Sequence, residues 1–184
     1  MNTLKKAVLV LAACAALLPA AEPLKLTAPD GKTVTVPLTG KTTAVIFVSV
    51  QCPVSNAYNG RMKELYSEYK AKGVDLVFVN ANATESQADV AKHAADNGFA
   101  FAVYKDVDNV LADRLNAQVT PETYVFDKSG NLAYHGSIDD SQAVERISKK
   151  PLKGALDAIL AGSAPPAASS KAFGCSIKRA KKQS

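Results

Sequence analysis

An unbroken apolar and β-branched run over residues 43–50 ends at Gln51-Cys52-Pro53, and this junction restricts the fold more than any other stretch of the chain. A run without polar alternation suits a strand covered on both faces, the kind found in sheets flanked by helices. Beyond it, Tyr58, Met62, Leu65, Tyr66 and Tyr69 recur at helical spacing and Gly73 supplies a left-handed C-cap. A helix is therefore predicted there, with Pro53 in its first turn, where proline is tolerated. Cys52 stands where a buried strand becomes a helix.

The remaining elements follow from alternation and punctuation. Leu24–Thr27 and Thr33–Val36 flank Pro29-Asp30-Gly31-Lys32 and predict an opening β-hairpin. Residues 74–79 read as a second core strand and 86–97 as a helix closed by Gly98. Residues 100–104 read as a short strand, and 107–115 as a short helix with Asp106 as N-cap. Glu122–Phe126 and residues 131–135 flank the turn Asp127-Lys128-Ser129-Gly130, and 152–160 form the last helix, with Pro151 near its first turn. The fold class is α/β: a mixed central sheet with helices on both faces and an N-terminal β-hairpin. No internal repeat is present.

With 184 residues, the chain is long enough for one domain with a substantial core and short for two. Its net charge of +5 comes from 22 basic against 17 acidic side chains. Lys5, Lys6, Lys171, Lys178, Arg179, Lys181 and Lys182 stand near the two ends, and without them the chain is slightly acidic. The basic balance is thus a property of the ends, and nucleic acid is set aside as a partner.

Lys5 and Lys6, the apolar run 7–18 and the small residues around Ala20 and Ala21 have the shape of an export leader cleaved before Glu22. The run is too short for a permanent membrane span. Leu11-Ala12-Ala13-Cys14 is also lipobox-shaped, and cleavage there would leave Cys14 as a lipid anchor. Cleavage after Ala21 is favoured, because Cys14 comes early and the apolar run continues past it. Both routes predict an exported protein of the bacterial envelope, periplasmic or lipidated, in a compartment where disulfides persist. The expected organisation is 1–21 leader, 22–162 folded domain and 163–184 a flexible basic tail, with SAPPAASS as linker and Cys175 beyond it.

Past the leader the cysteines are Cys52 and Cys175. At the start of a helix, unsatisfied N–H groups and the positive end of the dipole favour a thiolate, so Cys52 is expected to be a reactive thiol. A small buried core residue is the alternative role for a single cysteine, which the strand-to-helix position disfavours. Ser55 occupies the place of the second cysteine of a Cys-x-x-Cys motif, so it cannot resolve an oxidised Cys52. Its hydroxyl either contacts the sulfur or serves as an ordinary helix-start hydroxyl. Cys175 lies thirteen residues beyond Gly162, a flexible reach of ~20 Å. It is a candidate resolving thiol, with Lys178 and Arg179 expected to favour its thiolate. A tail cysteine without a role, or one pairing with another chain, is the alternative. His93 and His135 have no Cys or second His nearby in sequence and read as satisfied or surface histidines. Asp139-Asp140, Asp106 and Asp108 read as loop and cap residues. No metal site and no cofactor are expected.

The segments LTAPDGKTVTV, AVIFVSVQCPVSNAY, VDLVFVNAN, VTPETYVFDKSGNLAYHG and FGCSIKR resemble the redoxin family of the thioredoxin superfamily. That group includes alkyl-hydroperoxide-reductase/thiol-specific-antioxidant proteins and membrane-anchored thioredoxin-like oxidoreductases. The likeness runs roughly over residues 24–162 and is most specific at CPVSNAY and Thr120-Pro121. It implies a thioredoxin-like fold in which a cis-proline, here Pro121, faces the reactive Cys. Thr120 would then present its N–H and C=O to a bound peptide or disulfide.

Peroxiredoxins carry Pro-x-x-x-Thr/Ser-x-x-Cys and a later Arg. Ser49 matches the hydroxyl, Val45 stands in the proline's place, and Pro121 falls about where the Arg would be. Arg61, nine residues beyond Cys52, points to the opposite side of a continuous helix. The resemblance therefore implies an exported thiol–disulfide oxidoreductase, with Cys52 as nucleophile and Cys175 as candidate resolving cysteine. Pro53, Ser55, Ser49, Thr120 and Pro121 would form the binding surroundings. A protein or small-molecule disulfide and a thiol electron donor would be the partners. A thiol peroxidase acting on peroxide is the second reading, and a non-enzymatic binding or copper-handling module the third. Copper-delivering relatives use Cys-x-x-x-Cys and a His, whereas residue 56 here is Asn56.

Overall fold

The computed structural model describes residues 22–181; the segment expected to be a leader, with Lys5, Lys6 and Cys14, and Lys182 at the other end lie outside the described residues. β1 (Leu24–Thr27) and β2 (Thr33–Val36) form the opening hairpin. β3 (Thr43–Val48) follows, with all of its residues buried. Its side chains divide by the two-residue period of a strand: Ala44, Ile46 and Val48 enter one core, Val45 and Phe47 the other. This accounts for the missing polar alternation. α1 (Pro53–Ala57), α2 (Asn59–Ala71), β4 (Asp75–Asn80), α3 (Gln87–Asp96) and β5 (Val103–Lys105) come next. They are followed by α4 (Val110–Arg114), β6 (Val119–Thr120), β7 (Glu122–Phe126), β8 (Leu132–Gly136), α5 (Pro151–Leu160) and β9 (Cys175–Ser176).

Seven strands form one mixed sheet in the order β2-β1-β5-β4-β3-β7-β8, with β3, β4 and β5 parallel and β7 antiparallel beside β3. One face is covered by Tyr58, Met62 and Tyr69 of the first helical stretch, Val90 of α3, and Leu152, Ala155 and Leu156 of α5. The other face is covered by Leu111 and Ala112 of α4, together with Leu38 and Ile177. Each large apolar side chain so buried contributes about 1.5–3 kcal/mol, so the two cores carry the fold. The expected mixed sheet with helices on both faces and an N-terminal hairpin is what forms.

Four expectations are corrected. β3 stops at Val48 instead of residue 50, because the N–H groups of Val50 and Gln51 donate to the Glu85 carboxylate, both at 2.9 Å. The helix after Cys52 is divided at Tyr58, whose N–H returns to Ser55 O at 3.0 Å and closes α1 as a tight turn. The helix expected over 107–115 begins in earnest only at Val110. Asp108 and Asn109 have φ of 58° and 59°, and the Asp106 carboxylate caps Leu111 and Ala112 N–H at 2.9 and 2.8 Å. The short strand expected over 100–104 is confined to Val103–Lys105.

The expected flexible tail is docked. Ala168 O and Ser170 N–H pair with the His135 backbone, both at 3.0 Å, along the outer edge of β8. Beyond them β9 pairs antiparallel with β6, and Ile177 is buried in the second core. Gly136 (φ 152°) and Gly174 (φ 153°) mark two points of passage. A Cβ at Gly136 would strike Ser170, and one at Gly174 the carbonyl of Thr120.

Candidate active site

Cys52 is the N-cap of α1, with extended φ/ψ of −83° and 112°, and Pro53 fills the first helical position. The Cys52 Sγ accepts the Ser55 N–H at 3.2 Å, so the sulfur replaces the side-chain oxygen of an ordinary N-cap. Its thiol donates to Thr120 O, also at 3.2 Å. The Thr120–Pro121 peptide is cis. In the β6–β9 ladder Thr120 is registered opposite Cys175, and both cysteines are free thiols. Cys52, Cys175, Ser49, Pro53, Ser55, Thr120 and Pro121, separated by more than a hundred residues of chain, thus converge on one place. Cys52 itself is only 2 % exposed.

The two thiols differ in acidity. Burial pushes Cys52 up, but hydrogen bonds from the Cys175 side chain, the Ser55 N–H and the Thr120 side chain outweigh it, and Cys52 ionises below its ordinary range. The Thr120 hydroxyl is buried and makes no hydrogen bond among the described residues in the resting state, so the acceptor open to it is the ionised sulfur. Cys175 moves the opposite way: its hydrogen bond to Cys52, burial and the charge on Cys52 raise it, against the Val54 N–H and Lys178. Of the basic neighbours expected to favour the Cys175 thiolate, Lys178 does so but is outweighed, and Arg179 does not contribute. Arg179 is engaged elsewhere, 3.1 Å from Asp113 Oδ1 and 2.5 Å from Ala117 O.

Ser49 does not face the sulfur. Its hydroxyl donates to Glu85 Oε1 at 2.6 Å and accepts the Cys52 N–H at 3.1 Å. The Ser49 N–H reaches Ser55 Oγ at 3.0 Å. Arg61 is held on Asp139 at 2.6 Å, with its guanidinium over the Tyr58 ring.

Sequence reading missed the two buried carboxylates that shape these loops. Glu85 is 3 % exposed; burial raises it, but hydrogen bonds from Ser49, Val50, Gln51 and Asn80 hold it below the usual Glu range. Glu122, just after the cis-proline, accepts Gln118 and Val119 N–H at 2.7 and 3.0 Å and the Tyr124 hydroxyl at 3.0 Å. Its carboxyl is likewise held down, with burial opposed first by the hydrogen bond from His135, 2.6 Å away. The available signal was weak: Glu85 stands shortly after core strand β4 and Glu122 opens core strand β7, where a buried carboxylate is unexpected unless paired. His93 Nε2 is satisfied by Asn56 Oδ1 at 2.8 Å. No group of three or more His, Cys, Asp or Glu is gathered for a metal among the described residues.

Residues 19–135 match the family described as the AhpC/TSA family. The chain is 28 % identical over 95 residues to the thiol-disulfide oxidoreductase ResA of Halalkalibacterium halodurans, covering 52 % of this chain and 53 % of that protein. It therefore spans about half the length of this curated relative. A crystal structure of an uncharacterized conserved protein from Geobacillus kaustophilus superposes with TM-score 0.80 at 29 % identity, covering 90 % and 92 % of the two chains. A thioredoxin-like protein solved in its oxidized form gives TM-score 0.56 at 23 % identity over 67 % of this chain and 80 % of that one, a likeness of fold alone.

Proposed function

The chain belongs to the AhpC/TSA family and has a thioredoxin-like fold, and from that premise we propose that it is an exported thiol–disulfide oxidoreductase in which Cys52 attacks and Cys175 resolves. The observation that carries the reading is the pairing of a helix-capping, acidified Cys52 with Cys175 across the cis Thr120–Pro121 edge. The Cys52 thiolate attacks one sulfur of a substrate disulfide, forming a mixed disulfide and releasing the first substrate thiolate, which takes up a proton. Cys175, after giving up its own proton, attacks Cys52 Sγ, forms the Cys52–Cys175 bond and releases the second thiol. The substrate gains two electrons, and an external thiol donor returns the pair to the reduced state. Cys175 serves better as second thiol than as first, because its proton is held in the resting pair.

Peroxide reduction is supported less. The Ser49 hydroxyl is turned to Glu85 and the Cys52 N–H, and Arg61 is bound to Asp139, so neither is directed at a peroxide on Cys52. In a copper-handling reading Asn56 would have to be a ligand, but it donates to Val50 O at 2.8 Å and faces His93. Residues 1–21 are taken as the export leader, 22–162 as the redoxin domain, and 163–184 as the segment that supplies Cys175. Among the described residues no helix is long and apolar enough to cross a membrane.

The test compares turnover of a small disulfide and of hydrogen peroxide by the reduced chain and its Cys52→Ser and Cys175→Ser variants. Disulfide turnover is expected to vanish in Cys52→Ser and to stall as a mixed disulfide on Cys52 in Cys175→Ser. Turnover that survives in Cys52→Ser, or peroxide consumed faster than disulfide, would overturn the reading.

A further inference from the structure

A buried carboxylate within a redox site calls for a reason. Four donors converge on Glu85: the Ser49 hydroxyl at 2.6 Å, the Val50 and Gln51 N–H groups at 2.9 Å, and the Asn80 side-chain amide. A carboxylate is the one side chain of this length that offers acceptors on both oxygens. An amide would turn an NH2 toward N–H donors that have no other partner in the bend.

Nor is Glu85 explained as half of an ion pair. Lys105 and His93 are the charged or titratable side chains whose fields meet it. The Lys105 ammonium is engaged by Asn80 Oδ1 at 2.7 Å and by the carbonyls of Asn82 and Glu85 at 2.8 Å, and the His93 ring by Asn56. The carboxylate oxygens serve the bend, and Lys105 secures the backbone that carries them.

From this geometry we propose that Glu85 is a positioning residue of the redox centre: its carboxylate fixes the 49–51 bend that sets Cys52 on the helix N-terminus, and its loop holds the segment that follows Cys175. The relay is short. With its proton on Glu85, the Ser49 hydroxyl presents a lone pair to the Cys52 N–H at 3.1 Å. The Ser49 N–H anchors Ser55 Oγ at 3.0 Å, and the Ser55 N–H reaches the Cys52 sulfur at 3.2 Å. At the other end, Asn82 Oδ1 accepts the Lys178 N–H at 2.7 Å, and the Ala83 N–H donates to Lys178 O at 2.8 Å. One loop therefore grips both cysteine-bearing segments. The proposal deepens the oxidoreductase reading and rests on Cys52 being its nucleophile.

The sign of one measurement separates positioning from plain electrostatics. Removing a nearby anion would by itself ease ionisation of Cys52, whereas releasing the bend takes the Ser55 N–H away from the sulfur and hinders it. In the reduced full-length chain, pH-dependent alkylation followed by peptide mapping reads Cys52 and Cys175 separately. In Glu85→Gln the Cys52 pKa is expected to rise by about one unit, which slows its alkylation about tenfold at pH values below both pKa values. A folded Glu85→Gln chain with the Cys52 pKa unchanged or lower would overturn the proposal. If that variant does not fold, Ser49→Ala cuts only the relay: slower alkylation of Cys52 supports the proposal, and a native rate overturns it. Alkylation needs no turnover, so a chain that shows the shift yet fails the disulfide assay would retain the positioning role and lose the enzymatic reading.

Discussion

At the scale of single residues, the sulfur of Cys52 is treated by its surroundings as an oxygen of an N-cap, and the acidity follows from that. It receives the Ser55 N–H of the first turn and donates to the Thr120 carbonyl, and the Thr120 hydroxyl is buried without a hydrogen-bond partner among the described residues. A buried hydroxyl left unpaired is costly, and ionisation of Cys52 gives it an acceptor. Thr120→Val keeps the shape and removes only that donor. We expect the Cys52 pKa to rise and alkylation at neutral pH to slow several-fold, with thermal stability unchanged or slightly raised, since a methyl in that position desolvates nothing. An unchanged alkylation profile would show that the hydroxyl does not serve the thiolate. The Cys52 junction was legible in the sequence as a local strand-to-helix pattern and Thr120-Pro121 through the family resemblance, whereas Cys175 stood out only as the other cysteine past residue 21, with nothing local to place it beside Thr120. Glu85 and Glu122 were not legible: three of Glu85's donors come from 34 to 36 positions away in the chain, and Glu122 collects the backbone N–H groups of the irregular turn at Gln118 and Val119, which no periodic pattern marks.

At the scale of elements, the Glu85 carboxylate decides where β3 ends. The apolar run reads as strand to residue 50, yet its last N–H groups leave the sheet for Glu85, and hydrophobic patterning carries no information about that choice. Asp108 and Asn109 delay α4 by a similar override: the Asp106 cap expected from sequence exists, but it serves N–H groups five and six residues on. The mixed sheet with helices on both faces, by contrast, follows from strand–helix alternation, and the division of β3 between two cores from the two-residue period of a strand. A pH dependence belongs to this scale. Glu85 and Glu122 have depressed folded-state pKa values, so their contribution to stability is complete above the ordinary Glu value of about 4.3 and is lost as pH falls through the folded values. Asp106, raised by burial, acts in the opposite sense and softens the slope. The thermal unfolding midpoint is expected to drop on acidification below about pH 4.3. Glu122→Gln should give a lower plateau and a shallower drop. A Glu122→Gln chain with the native slope would mean that the loop before Pro121 is not held by this carboxylate.

At the scale of the whole molecule, the C-terminal segment is the part sequence reading placed least well. SAPPAASS has the composition of a linker, and by composition it would be free. It is fastened instead by backbone pairing to His135, by Ser170 Oγ bonded to the Tyr134 hydroxyl at 2.7 Å and the Ser137 N–H at 2.9 Å, and by Ile177 in the second core. None of these contacts leaves a periodic signature. The result is that β9 lies along the cis-proline edge and covers Cys52, and Gly174 is the residue that lets it approach so closely. Gly174→Ala should therefore unseat β9: a Cβ there meets the Thr120 carbonyl, and φ of 153° is strained for an L side chain. Two effects on Cys52 then compete, because lost cover speeds attack while the lost Cys175 hydrogen bond makes ionisation harder. Working at about pH 10, where an ordinary thiol is already ionised, isolates the first. There a bulky maleimide should modify Cys52 of Gly174→Ala at least tenfold faster than native, a difference of about 1.4 kcal/mol in the cost of opening, while a small alkylating reagent gains less. Mild oxidation of the same variant should yield less Cys52–Cys175 disulfide and more sulfenic acid on Cys52. If the bulky reagent reaches native Cys52 as fast as it reaches the variant, the segment opens freely in solution, and the cover over Cys52 does not govern access to it.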